Sequence, residues 1–164
     1  MPLSVEDLRN HLRYSAWASQ RLVHAASELP QEELLRDFQT SDRSVLGTLV
    51  HTFAADRVWL DRLRRAPRPQ YSTEADYQMS VLQNDWPEVY RQWDELLGGW
   101  NDGEVLADLT YQDMRGNTWT NPIWQLILHV VNHATHHRGQ DSGFLRTLGR
   151  TPPVLDLVAY YRQL

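Results

Sequence analysis

Four stretches of this chain repeat apolar residues every three or four positions, and each is long enough to form one helix of a bundle. In the first, Val5, Leu8, Leu12, Ala16, Val23 and Ala26 follow a Ser4–Asp7 pair spaced as a capping box, and Leu29-Pro30 ends the run. This predicts a helix over about residues 5–28. In the second, Ser44 serves as the cap, Leu46, Leu49, Phe53, Leu60 and Leu63 form the stripe, and Pro67 and Pro69 stop it. Thr73 and Asp76 suggest another capping box before Tyr77, Val81, Val89, Trp93, Leu96 and Leu97. Pro87 falls inside this third stretch, which reads as a kinked but continuous helix. Asn121 and Pro122 place a cap and a first-turn proline ahead of a long fourth helix ending near Gly149. Just before it, LTYQDMRGNTWT sets β-forming residues on either side of Arg115-Gly116-Asn117, the pattern of a short hairpin and a lid-like excursion. After Pro152 and Pro153, VLDLVAYYRQL reads as a short terminal helix. The fold expected is all-α, one domain over residues 1–164, with four helices bundled and a hairpin before the last.

Two absences narrow the chemistry. The chain has no Cys, and its sixteen basic residues are all Arg. Disulfides, protein thiolates, lysine Schiff bases, P-loop chemistry and Cys-rich zinc sites are thereby excluded. A net charge of −5 opposes the phosphate attraction on which nucleic-acid binding depends. No apolar run approaches a membrane span, and the start MPLSVEDLRNHL lacks the order of a signal peptide, so a cytoplasmic protein without membrane or nucleic-acid partners is expected.

Four of seven histidines, His129, His133, His136 and His137, fall within nine residues of the last helix. His133 and His137 sit one turn apart on one face, a spacing at which two imidazoles can share one ion. His136 points near the same face, and periodicity alone does not choose between it and its neighbours. Gln140 returns to the angle of His133, with Asp141 beside it. Two ligands on one helix make a weak, exposed clamp, so a third is sought from a facing helix. His51 is the candidate, because Gly47, Thr48, Ala54, Ala55 and Val58 leave room beside it; His11 and His24 of the first helix are alternatives without that small-residue setting.

The segments LGTLVHTFAADRVWLDRL and LILHVVNHATHHRGQDSGFLRTLG, with the early YSAWASQRL, resemble the DinB/YfiT-like family of bacterial four-helix proteins over nearly the whole chain. The most specific parts are the histidine after Leu-Gly-x-Leu-x and the H-x-x-x-H-R-G-Q signature, here His133 to Gln140. The resemblance implies that His51, His133 and His137 bind a divalent metal, and it moves His129 and His136 to positions lining the pocket. It further implies an up-down-down-up bundle and a homodimer. It does not supply a reaction, since relatives include thiol-dependent transferases, hydrolases and proteins of no assigned activity.

Three imidazoles leave coordination positions open, as in a catalytic metal site. Zn²⁺ or Ni²⁺ is the expected ion, with Fe²⁺ or Mn²⁺ as alternatives. Such an ion can activate water or deprotonate a thiol. Without any Cys, a thiol nucleophile has to come from outside, so the leading expectation is activation of a low-molecular-weight thiol for attack on a small electrophilic substrate. Metal-dependent hydrolysis is the second reading, and a non-catalytic, metal-stabilised stress or interaction protein the third. Asp56, Asp141 and Gln140 are the candidates for steadying the ligand rings, and Arg138 for binding an anionic group of substrate or thiol; no catalytic acid or base is assigned.

Overall fold

Helix α1 (Val5–Ser27) starts behind the expected cap: Ser4 Oγ accepts from the Asp7 backbone N–H, and the Asp7 carboxylate accepts from that of Ser4. The structure, a computed structural model, describes residues 3–164. A single turn, α2 (Gln31–Leu34), follows, and then α3 (Val45–Leu63), which Ser44 caps through the Gly47 N–H at 3.0 Å. Next come α4 (Met79–Gly98), α5 (Asp102–Leu106), strands β1 (Asp108–Gln112) and β2 (Thr118–Pro122), α6 (Ile123–Thr147) and the terminal α7 (Leu157–Tyr161).

Side-chain pairings give the helix directions. Ser15 and Ser19 of α1 meet Tyr90 of α4 while Arg9 and Arg13 meet Asp94, so these two helices are antiparallel. Asp56 of α3 meets Trp86 of α4 while Arg64, just beyond α3, meets Gln92, so these run parallel. His51 meets His133 and His137 while Trp59 meets His129, which makes α3 and α6 antiparallel. The result is an up-down-down-up four-helix bundle in which α1 contacts α4 and α6, and α3 contacts the same two. Its core is one apolar cluster that includes Leu8, Leu22, Phe53, Leu60, Leu82, Trp93 and Ile127.

Parallel neighbours need a return crossing, and here residues 64–78 make it. Arg57 pins that segment to α3 by donating to the Gln70 and Tyr71 carbonyls and to the Asp76 carboxylate. This corrects one sequence expectation. The Thr73–Asp76 capping box forms, but it caps a 3₁₀ turn (Glu74–Asp76) inside the crossing; α4 begins later, at Met79, with no side-chain cap on Gln78. Helix α4 is continuous through Pro87. A second correction concerns α6, where Pro122 occupies the cap position and Asn121 stays in the hairpin opposite Leu109, accepting from the Tyr111 hydroxyl. The hairpin itself has the expected turn, with Gly116 at φ 83°, a left-handed conformation that favours glycine. Helix α5, capped by an Asn101–Glu104 box, links α4 to the hairpin and is not among the helices expected from the sequence. Among the described residues no helix is long and apolar enough to cross a membrane.

Candidate metal centre

The antiparallel packing of α3 on α6 turns His51, His133 and His137 toward one another. His133 Nε2 lies 3.1 Å from His51 Nε2 and 3.2 Å from His137 Nε2. A ring nitrogen in its own plane carries either one proton or one lone pair, so hydrogen bonding cannot satisfy His133 Nε2 toward both partners. A shared cation can. Two imidazole nitrogens bound at about 2.0–2.1 Å to one zinc-sized ion sit roughly 2.8–3.4 Å apart, for angles between octahedral and tetrahedral. The observed spacings fall in that span, and among the described residues this is the group of three histidine or acidic side chains placed to hold a metal ion. The site is open on one side, since the His51 side chain is 43% exposed and that of His137 only 9%.

The surroundings favour neutral rings, the form that ligates metal. Burial, and then the neighbouring imidazoles, push His133 down to about 3. Burial also lowers His137, against the hydrogen bond to Gln140. His137 Nδ1 donates to Gln140 Oε1 at 2.7 Å, which assigns the proton to Nδ1 and leaves the Nε2 lone pair facing the other rings. His133 Nδ1 is buried with no partner. Gln140→Leu should therefore weaken zinc binding by about 10–100-fold with all three ligands still present, measured by competition with a chromogenic chelator.

A residue that the helical pattern does not reveal completes this environment. Asp42, in the loop before α3, places its carboxylate oxygens 3.5 Å from His51 Nδ1 and 3.7 Å from His137 Nδ1. The available sequence signal was Gly47, one turn ahead of His51. A Cβ added there would fall 1.9 Å from the Asp42 carbonyl oxygen, so only glycine lets the loop lie this close to α3. Gly47→Ala is expected to lose about 1–3 kcal/mol in a denaturant melt, as overpacked sites do, and to weaken metal binding through displacement of Asp42.

The other sequence-assigned residues take varied places. On α6, His129 and His136 flank the triad, with ring centroids 5.7 Å from His133 and 5.0 Å from His137 respectively. His129 also meets the edge of Trp59, and burial together with the charge of Arg62 lowers its pKa. Asp141 is buried, both carboxylate oxygens lack partners, and burial followed by the charge of Asp42 raises it well above the usual carboxylate range. Asp56 and Arg138 depart from the roles expected of them. Asp56 points into the core, where it accepts from Trp86 Nε1 at 2.8 Å rather than from a ligand ring. Arg138 is 3% exposed and donates to Ser15 and Ser19 of α1 and to Thr135, so its guanidinium is committed inside the bundle rather than offered to a substrate. Each is a turn-fraction away from the ligand before it: about 140° of helix separates Asp56 from His51, and about 100° separates Arg138 from His137.

Comparison with known proteins agrees with the fold. The DinB family model matches residues 1–163. The chain belongs to the DinB family. It is 24% identical over 156 residues to Protein DinB of Bacillus subtilis (strain 168), covering 90% of this chain and 89% of that protein. Its fold resembles the crystal structure of a DinB-like protein from Bacillus cereus ATCC 10987, with a TM-score of 0.70 at 21% identity, over 94% of this chain and 99% of that one. As a DinB-family protein the chain thus combines the family's bundle with three histidines positioned to hold a divalent metal ion.

Proposed function

We propose that this DinB-family protein is a metal-dependent enzyme that activates a low-molecular-weight thiol for transfer to a small electrophilic substrate. The observation that carries the reading is the convergence of three Nε2 atoms on one point that is open to solvent at His51. A divalent ion bound there supplies Lewis acidity and holds a coordinated thiol in its deprotonated form. The side chains do the rest. His51, His133 and His137 hold the ion, with Zn²⁺ or Ni²⁺ preferred over Fe²⁺ or Mn²⁺ for an all-imidazole set. Gln140 fixes the His137 tautomer, and Asp42 supplies negative charge beside two ligand rings. The chain has no Cys, so the sulfur comes from the cosubstrate. The thiolate sulfur forms its bond to the electrophilic carbon as that carbon's π bond opens, the electron pair moving to the neighbouring atom, which takes up the proton that the thiol released on binding. We extend the proposal to a homodimer, on the family resemblance, with light scattering of the purified protein as its check.

Tag-free protein should retain one divalent metal per chain and turn over a panel of electrophiles only when a small thiol is added. Turnover of esters or amides without thiol would replace this reading by hydrolysis. Retained metal without turnover in either panel would leave a metal-stabilised, non-catalytic protein.

A further inference from the structure

Five of the sixteen arginines fall between residues 57 and 68, in a chain that is acidic overall. Arg57 is neutralised by Asp76, and Arg64 bonds Gln92. Among the described residues Arg64 and Arg68 have no carboxylate within ion-pair distance, and neither do Arg62 and Arg65. The last two line a cleft of about 470 Å³ between the end of α3 and the hairpin. Its walls are mixed, with flat apolar surfaces from Tyr71, Tyr111, Pro67 and Pro69 beside the polar Thr110, Gln112 and Thr118.

Arg62 is held in place without an anion. Its guanidinium lies 4.5 Å over Trp59 and 5.2 Å from the Tyr111 ring centre, and its Nη2 donates to the Gln112 carbonyl at 2.9 Å. Arg65 occupies the residue just past the helix end at φ 56°, where the Ala66 N–H reaches back to the Asp61 carbonyl. That closing motif strongly favours glycine, so an arginine there carries backbone strain that its charge beside the helix C-terminus offsets only in part. One acid, Asp113, also lines the cleft, but its carboxylate is taken up by the hairpin turn, accepting from the Arg115 and Asn117 backbones, the Asn117 amide and Trp119 Nε1 at 2.8–3.0 Å. Two guanidiniums against one carboxylate leave a positive charge in excess.

We propose that this cleft is a binding site for a small organic carboxylate with a flat apolar body. The carboxylate pairs with Arg62 and Arg65, whose planar forks suit that geometry, and the body lies against the tyrosine and proline walls. The site is independent of the metal reading. It stands at the far end of the same α3–α6 stripe, separated from His133 by the Trp59–His129 contact.

The test is a titration of the isotope-labelled full chain with benzoate, followed at the backbone amides of Ala66, Tyr111, Gln112 and Thr118. Saturable shifts at these amides are expected, with none of comparable size for benzyl alcohol, and binding at least tenfold weaker in Arg62→Gln and in Arg65→Gly. Arg65→Gly is the deciding variant because glycine relieves the strain: its melting temperature should equal or exceed that of the parent while benzoate binding falls. No saturable shift with benzoate up to about 20 mM would overturn the proposal. So would equal binding of benzyl alcohol, equal binding of inorganic phosphate, or undiminished benzoate binding in a folded Arg65→Gly protein.

Discussion

His51→Ala should abolish stoichiometric metal binding while leaving the metal-free fold nearly as stable as the parent. The side chain is 43% exposed, so its removal opens no core cavity, yet it supplies one of three converging nitrogens. The loss should exceed the 10–100-fold that follows from removing a mere partner of a ligand. His133→Ala should do the same at the ion, with an added loss of stability because that ring is half-buried. Elemental analysis reads the metal content, and a thermal shift gives an independent check. Zinc at about 100 times its Kd stabilises a folded site by about 2.7 kcal/mol, which in a domain of this size raises Tm by roughly 5–11 °C. That shift should vanish in His51→Ala, His133→Ala and His137→Ala. A full zinc-induced shift in all three variants would remove the triad as the metal centre.

Arg138→Ala should destabilise the fold by about 3–5 kcal/mol, the range for removing one partner of a buried charged network. Arg138 and Asp56 are buried in the middle of the bundle, 3% and 0% exposed. Around them Ser15 and Ser19 of α1, Trp86 and Tyr90 of α4 and Thr135 of α6 supply hydrogen bonds, so the cluster ties all four long helices together. The effect should also depend on pH. Burial pushes Asp56 up to about 6, opposed by the nearby Tyr90 hydroxyl, the hydrogen bond from Trp86 and the charge of Arg138. A carboxyl raised above its unfolded value holds its proton more tightly in the folded state. Its contribution to stability is therefore full below about 3.8 and is lost as pH rises through about 6. Removing Arg138 raises Asp56 further, so the variant should lose more stability, relative to the parent, at pH 8 than at pH 5. Denaturant melts of both proteins at the two pH values measure this difference; equal losses at both would show that the two charges do not interact.

The four long helices were legible because each carries its own apolar period and, in two cases, its own polar start at Ser4 or Ser44. Asn101 likewise caps α5, a five-residue helix too short to show an apolar period. Local signals misled where a long-range partner competed for the same side chain. Asp76 has the spacing of a cap for α4, but Arg57 takes it into the crossing segment. Asn121 has the identity of a cap for α6, but its backbone pairs in the hairpin.

For the site, the four-residue spacing of His133 and His137 determined by itself that two imidazoles share a helix face. The same arithmetic, applied strictly, also separates Asp56 from His51 and Arg138 from His137. Which histidine completes the set was a tertiary question. His51 does so because α3 lies antiparallel against α6, whereas His11 bonds the Asp7 carbonyl within its own helix and His24 lies exposed on α1. Asp42 is tertiary as well, since a loop residue has no period and reaches the rings only through the gap left at Gly47. Periodicity fixes angles around one helix axis, and those follow from local backbone geometry. The contacts between axes depend on which faces pack, and that is settled by the whole core at once.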